Sequence, residues 1–231
     1  MKLSKLKLYN YRCFGDNEQT IKIDDITSFL GDNSSGKTAA LMALNCLFSA
    51  NSMDRTLKRS DFHLPKDMSP DTQESQMLYI EAIFTFDNLD NANESFDIPH
   101  FFSSVVVDEP EGTPYLRIRL EATWEKSSNL EGAIESKLYY ITCPESDEIS
   151  DEVKVTAFRK DLDHIRVIYV PAVRDPSKQL KNVSGTMMNQ IMNSINWSQS
   201  TQENVKNQIQ QLNKHFLDEP GVSVIASSIN S

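Results

Sequence analysis

The chain has 231 residues, enough for one core or one large lobe, with 39% hydrophobic and 24% charged residues, as in an ordinary globular protein. No apolar run approaches the ~20 residues of a membrane-spanning helix, which argues against a membrane partner, and the opening MKLSKLKLYNYRCF alternates leucine with lysine where a signal peptide would be continuously apolar. A formal charge of −10 argues against a general nucleic-acid glove, and three scattered cysteines (Cys13, Cys46, Cys143) without a CxxC pair point to a reduced, cytoplasmic compartment without structural zinc.

In chain order, residues 3–9 and 20–30 read as strands, the second running through TIKIDDITSFLG straight into Gly31. After Gly36 the period changes: Ala40, Leu41, Leu44, Leu47 and Phe48 recur at helical spacing. Basic residues near the start (Lys2, Lys5, Lys7, Arg12) and at Arg55, Lys58 and Arg59 read as solvated faces. Residues 51–75 are polar, carry Pro65 and Pro70, and read as a connector with little regular structure.

A period of two then takes over. Leu78, Ile80, Ala82, Phe84 and Phe86 share one face, and so do Leu116, Ile118, Leu120, Ala122 and Trp124. Arg117, Arg119, Glu121 and Thr123 fall on the opposite face, the pattern of a half-exposed antiparallel strand. SKLYYIT and EVKVTAF continue the meander, and the acidic CPESDEISDE reads as a solvated loop. IRVIYVPA, residues 165–172, reads as a more buried strand. In the tail, Met188, Ile191, Met192 and Ile195 fit one helix, and Val205, Ile209, Leu212 and Phe216 a second. Ser200 and Glu203 have capping-box spacing at the start of that second helix. The closing GVSVIASSINS resembles the start of another element, so the chain is expected to be incomplete.

GDNSSGKT, residues 31–38, matches GxxxxGK[ST] in full, at a predicted strand–loop–helix junction. Glycines let a backbone wrap closely enough for its N–H groups to meet phosphate oxygens, and the following helix offers its positive end to the same anion. Lys37 is placed to reach the β and γ phosphates, and the Thr38 hydroxyl to coordinate Mg²⁺.

With NYRCFGDN about twenty residues upstream, the arrangement resembles the amino-terminal lobe of SMC/RecF-type ABC ATPases. The resemblance narrows through RSDFHLP, the meander and RVIYVPAVRDPSKQL to the OLD-family (overcoming lysogenization defect) ATP-dependent endonucleases. It implies an α/β P-loop NTPase of ABC/SMC-head type: an N-terminal lobe with a mixed sheet, an antiparallel β-meander and a C-terminal helical segment. The expected division is residues 1–183 for the lobe and 184–231 for an arm or dimerisation element.

The resemblance also implies ATP and Mg²⁺ as cofactors, and Arg12 approaching the nucleotide. The expected binding set is Arg12, Gly31, Asp32, Asn33, Ser34, Ser35, Gly36, Lys37, Thr38 and Ala39, with Thr38 on the metal. Implied partners are a second copy of the chain through the ATPase domains, DNA for the full-length protein, and a second anti-phage defence protein.

ABC-type hydrolysis also needs a strand ending in Asp-Glu and a serine-glycine signature from a second subunit. SSVVVDEPEGTP, with Asp108 and Glu109, imitates such a strand end. No signature precedes it and an alternating strand follows, so it reads as a hairpin tip. The resemblance puts signature, Walker B strand and nuclease carboxylates beyond residue 231, and leaves Arg174 as a candidate sensor and Gln179 unassigned. This chain alone is then expected to bind ATP with little turnover. Two rivals stand beside this reading: the ATPase head of a RecF/SMC-type repair protein without a fused nuclease, and a P-loop kinase or transferase using VVVDEP catalytically.

Overall fold

The strands are β1 (Lys2–Tyr9), β2 (Gln19–Lys22), β3 (Ser75–Thr85), β4 (Asn88–Asp90), β5 (Ser95–Phe96), β6 (Tyr115–Glu125), β7 (Ala133–Ile141) and β8 (Lys154–Thr156). Six of them form one sheet in the order β2-β1-β3-β6-β7-β8, and β4 pairs with β5 separately. The computed structural model describes residues 1–68, 72–86, 88–90, 95–96, 98–108, 112–128, 132–170 and 197–218. Every pairing in the six-stranded sheet is antiparallel, so the described residues hold the meander part of the expected mixed sheet.

Alternation decides the faces. Leu6, Leu8, Leu78, Ile80, Ala82, Leu116, Ile118 and Leu120 are all buried in one core with α1 (Lys37–Phe48). The helix buries Ala39, Ala40, Ala43, Cys46, Leu47 and Phe48, while Leu41 is exposed, a rotation away from the expected apolar set. Three alanines let the helix backbone lie close to the sheet, and the larger Leu41 is accommodated outside. Phe48 meets Phe84 of β3 edge-on at 5.6 Å. The negative C-terminal end of α1 is met by two guanidiniums: Arg159 donates to Leu47 O at 2.5 Å and Arg55 donates to Ser49 O.

The opposite face of the sheet corrects the expectation of a half-exposed strand. Glu81, Arg117 and Arg119 are buried. Arg117 Nε donates to Glu81 Oε1 at 2.8 Å and Arg119 Nε to Oε2 at 2.6 Å, Arg119 being the residue directly opposite Glu81 in the register. Arg117 Nη1 also donates to the carbonyls of Cys143 (2.7 Å) and Pro144 (2.9 Å), which draws the following loop onto the sheet. CPESDEISDE is therefore not simply solvated at its start. Glu145 bridges Lys5 (2.6 Å) and Lys7 (3.0 Å) of β1. Burial pushes the Glu145 carboxyl up, but hydrogen bonds from the two lysines outweigh it and hold the group below its ordinary value.

Two other expectations are corrected. The strand expected over 20–30 is only Gln19–Lys22: Asp24 N–H donates to Thr27 Oγ1 at 2.9 Å, and this side-chain turn ends the pairing, leaving Ile26 and Leu30 about nine-tenths exposed. Residues 165–170 form no strand; Ile165 and Val167 touch the core, whereas Ile168, Tyr169 and Val170 face outward. The connector after α1 contains two short 3₁₀ turns, Ser52–Arg55 and Arg59–Asp61.

The chain divides into two compact units, Met1–Pro171 and Ala172–Ser231. In the second, α2 (Gln199–Asp218) covers the second helix expected from the sequence. Its start is not the Ser200/Glu203 box. Thr201 N–H lies 3.4 Å from Ser198 Oγ, and Glu203 instead accepts from the Gln199 side chain at 3.5 Å, so Ser198 occupies the capping position. The helix expected around Met188–Ile195, Arg174 and Gln179, Glu109, the 183/184 boundary and the final GVSVIASSINS lie outside the described residues. Among the described residues, no helix is long and apolar enough to cross a membrane.

Candidate functional site

The segment after β1 is an irregular turn fastened on two sides. Asn10 and Arg12 both have left-handed backbones (φ 49° and 52°), uncommon for residues with side chains. The strain is held by hydrogen bonds: Asn10 N–H to Gly15 O (2.9 Å), Arg12 N–H to Asp61 O (2.8 Å), His63 N–H to Asn10 O (2.9 Å) and His63 Nδ1 against Arg12 O (2.7 Å). Arg12 Nε donates to Asp61 Oδ1 at 2.9 Å, and the other Asp61 oxygen accepts from Lys58 N–H at 2.8 Å. Tyr11 is buried beneath, its hydroxyl 3.6 Å from Cys46 Sγ of α1; burial pushes the phenol well above its ordinary value and raises the thiol.

The other side of the turn supports the phosphate-type loop. Gly36, with φ 98°, immediately precedes α1, and a Cβ there would stand 2.9 Å from both Cys13 Sγ and Phe14 Cζ. Only glycine allows that backbone and that approach together. Ser34 is also left-handed (φ 69°), and Ser35 N–H turns back to Asp32 O at 3.2 Å. Lys37 curls over the loop, its ammonium 2.6 Å from the carbonyls of both Gly31 and Asp32.

At the head of α1 no side chain caps the first turn and no acid sits in it. The N–H groups that open a helix have no intrahelical acceptor, so this end is an anion site by construction. A cleft of about 290 Å³ opens over it, lined by Arg12, Cys13, Asn33, Ser34, Ser35, Gly36, Lys37, Thr38 and Ala39. The donor set fits a polyphosphate: two cations, hydroxyls and unpaired N–H groups. Among the described residues no carboxylate lines the cleft.

A family model for the AAA ATPase domain matches residues 1–215. The chain belongs to that family. The AAA ATPase domain assignment makes it a nucleotide-binding P-loop NTPase, in agreement with the loop and helix geometry above. No curated protein matches the chain. Among solved structures, one from work on the structural biochemistry of ATP-driven dimerization and DNA stimulated activation of SMC ATPases aligns at 14% identity. The alignment covers 90% of this chain and 99% of that one with a TM-score of 0.40, a likeness that carries no argument about the site.

Of the residues expected at the site, Arg12 and Asn33 through Ala39 meet in the cleft of this AAA ATPase domain, while Gly31 and Asp32 stand behind it as the carbonyl seat of Lys37. Asp108 is exposed on a hairpin in which Val107 and Tyr115 exchange backbone hydrogen bonds of 2.8 and 3.0 Å. It does not line the cleft. Cys13, Asp61 and His63 were not legible as site residues. A half-buried arginine held in place needs an acceptor, but choosing one among 33 acidic residues requires the fold.

Proposed function

We propose that the cleft binds Mg·ATP, with Lys37 and Arg12 on the phosphates, the Asn33–Thr38 backbone around them and Thr38 on Mg²⁺. The observation that carries this is the uncapped, acid-free head of α1 under a left-handed Gly36, with two cations in the same cleft. Lys37 would exchange its hold on the Gly31 and Asp32 carbonyls for phosphate oxygens.

The larger role proposed is the ATP-binding part of an ATP-regulated, OLD-like DNA endonuclease of bacterial anti-phage defence, working in the cytoplasm as a homodimer or higher homo-oligomer. DNA and a second defence protein are the proposed macromolecular partners. Support comes from the sequence resemblance, and from the packing of two of its segments, NYRCFG and RSDFHLP, into one hydrogen-bonded unit. Support for a site completed by other groups is twofold. Among the described residues no acid lines the cleft, and two β-branched, apolar stretches, residues 26–30 and 165–170, present Ile26, Leu30, Ile168 and Val170 to the exterior without strand partners.

The test is steady-state ATP hydrolysis by this chain, with bound nucleotide measured in the same sample. Binding with little or no turnover is expected; sustained multiple turnover would show that the attacking water is activated from within the chain.

A further inference from the structure

We propose that Asp61 is a positioning residue for the nucleotide site: by engaging Nε of Arg12 it aims the two terminal amino groups of that guanidinium at the phosphate chain. The inference rests on the nucleotide reading of the cleft and adds to it a residue outside the loop. Asp61 is 4% exposed and does not line the cleft, so it acts through Arg12. Its main chain takes the Arg12 N–H at 2.8 Å, its Oδ1 takes Nε at 2.9 Å, and Lys58 N–H fixes the remaining oxygen at 2.8 Å. His63 closes the frame on the Arg12 carbonyl at 2.7 Å. With Nε occupied, no acceptor among the described residues takes the terminal amino groups of Arg12, on the side chain that borders Lys37 and Gly36 in the cleft. A guanidinium is a rigid planar fork, so fixing one edge fixes the direction of the other.

The segment that carries Asp61 is itself anchored. Arg59 lies over the Trp124 ring at 3.6 Å and donates to Gln73 at 2.5 Å and Gln76 at 3.3 Å, and the Gln76 amide donates to His63 O. The strut therefore runs from β6 through residues 59–63 to Arg12.

Charge and geometry make opposite demands here, which gives the idea a sign. As a bare negative charge Asp61 repels a polyphosphate, so removing that charge would tighten binding if electrostatics alone acted. A positioning role requires the reverse. The test is a cycle of Asp61→Asn, Arg12→Ala and the double variant in the full chain, titrated with Mg·ATP and accompanied by thermal melts. Asp61→Asn is expected to weaken ATP binding about tenfold, with no further loss when Arg12 is already alanine. Unchanged or tighter binding would overturn the proposal, and so would the same tenfold loss in the Arg12→Ala background. Arg12→Lys covers the case in which Asp61→Asn fails to fold: lysine keeps the charge but lacks Nε. It is expected to bind as poorly as Arg12→Ala, and wild-type affinity from it would overturn the proposal. A wild-type chain that binds no ATP would instead remove the nucleotide reading itself.

Discussion

Glu81 sits in the middle of β3 with no solvent exposure, accepting from Arg117 on one oxygen and Arg119 on the other. Period-two alternation put Arg117 and Arg119 on the face opposite the apolar set, but it carries no information about what covers that face. The cover is the loop at Cys143–Glu145, tied down by Arg117 and by Lys5 and Lys7. Truncating one partner of such a cluster leaves buried charge uncompensated. Glu81→Ala is therefore expected to lose about 3–5 kcal/mol in denaturant unfolding. A loss under about 1 kcal/mol would mean that both guanidiniums reach water. Asp61 teaches the same lesson at the site: a lone acid in a polar connector has no sequence signal, and its role exists only because Arg12 folds back onto it.

Among the elements, β3, β6, β7 and α1 were legible because each repeats its apolar residues at its own period over 9 to 12 residues. The segments 20–30 and 165–170 were misread for one shared reason. β-branched, apolar sequence states that a strand is possible, whereas a strand forms only where a neighbour supplies hydrogen bonds. In the first, Asp24 and Thr27 satisfy each other and turn the chain away; in the second, Ile168 is 62% exposed. Ile168→Ser is accordingly expected to change the unfolding free energy of this chain by no more than about 0.5 kcal/mol. A loss of about 2 kcal/mol or more in the same measurement would show that the segment is buried as the sequence pattern suggested.

On the scale of the whole molecule, the described residues of the first unit form an antiparallel sheet with α1 laid across its inner face, and everything attributed to ATP gathers where that helix begins. The motif announced the loop, Lys37 and Thr38; the fold added the buttress of Cys13 and Phe14 beneath Gly36 and the strut from Asp61. A chain of net charge −10 can attract ATP⁴⁻ only through such a local concentration of donors, since its overall field opposes the ligand. The most direct measurement is equilibrium binding of Mg·ATP to the intact chain and to Lys37→Ala. Saturable binding is expected for the first, weakened roughly 10- to 100-fold in the second, the worth of a charge-assisted contact to phosphate. Equal affinity for the two proteins, or no saturable binding by the unaltered chain, would contradict the assignment of this cleft to ATP.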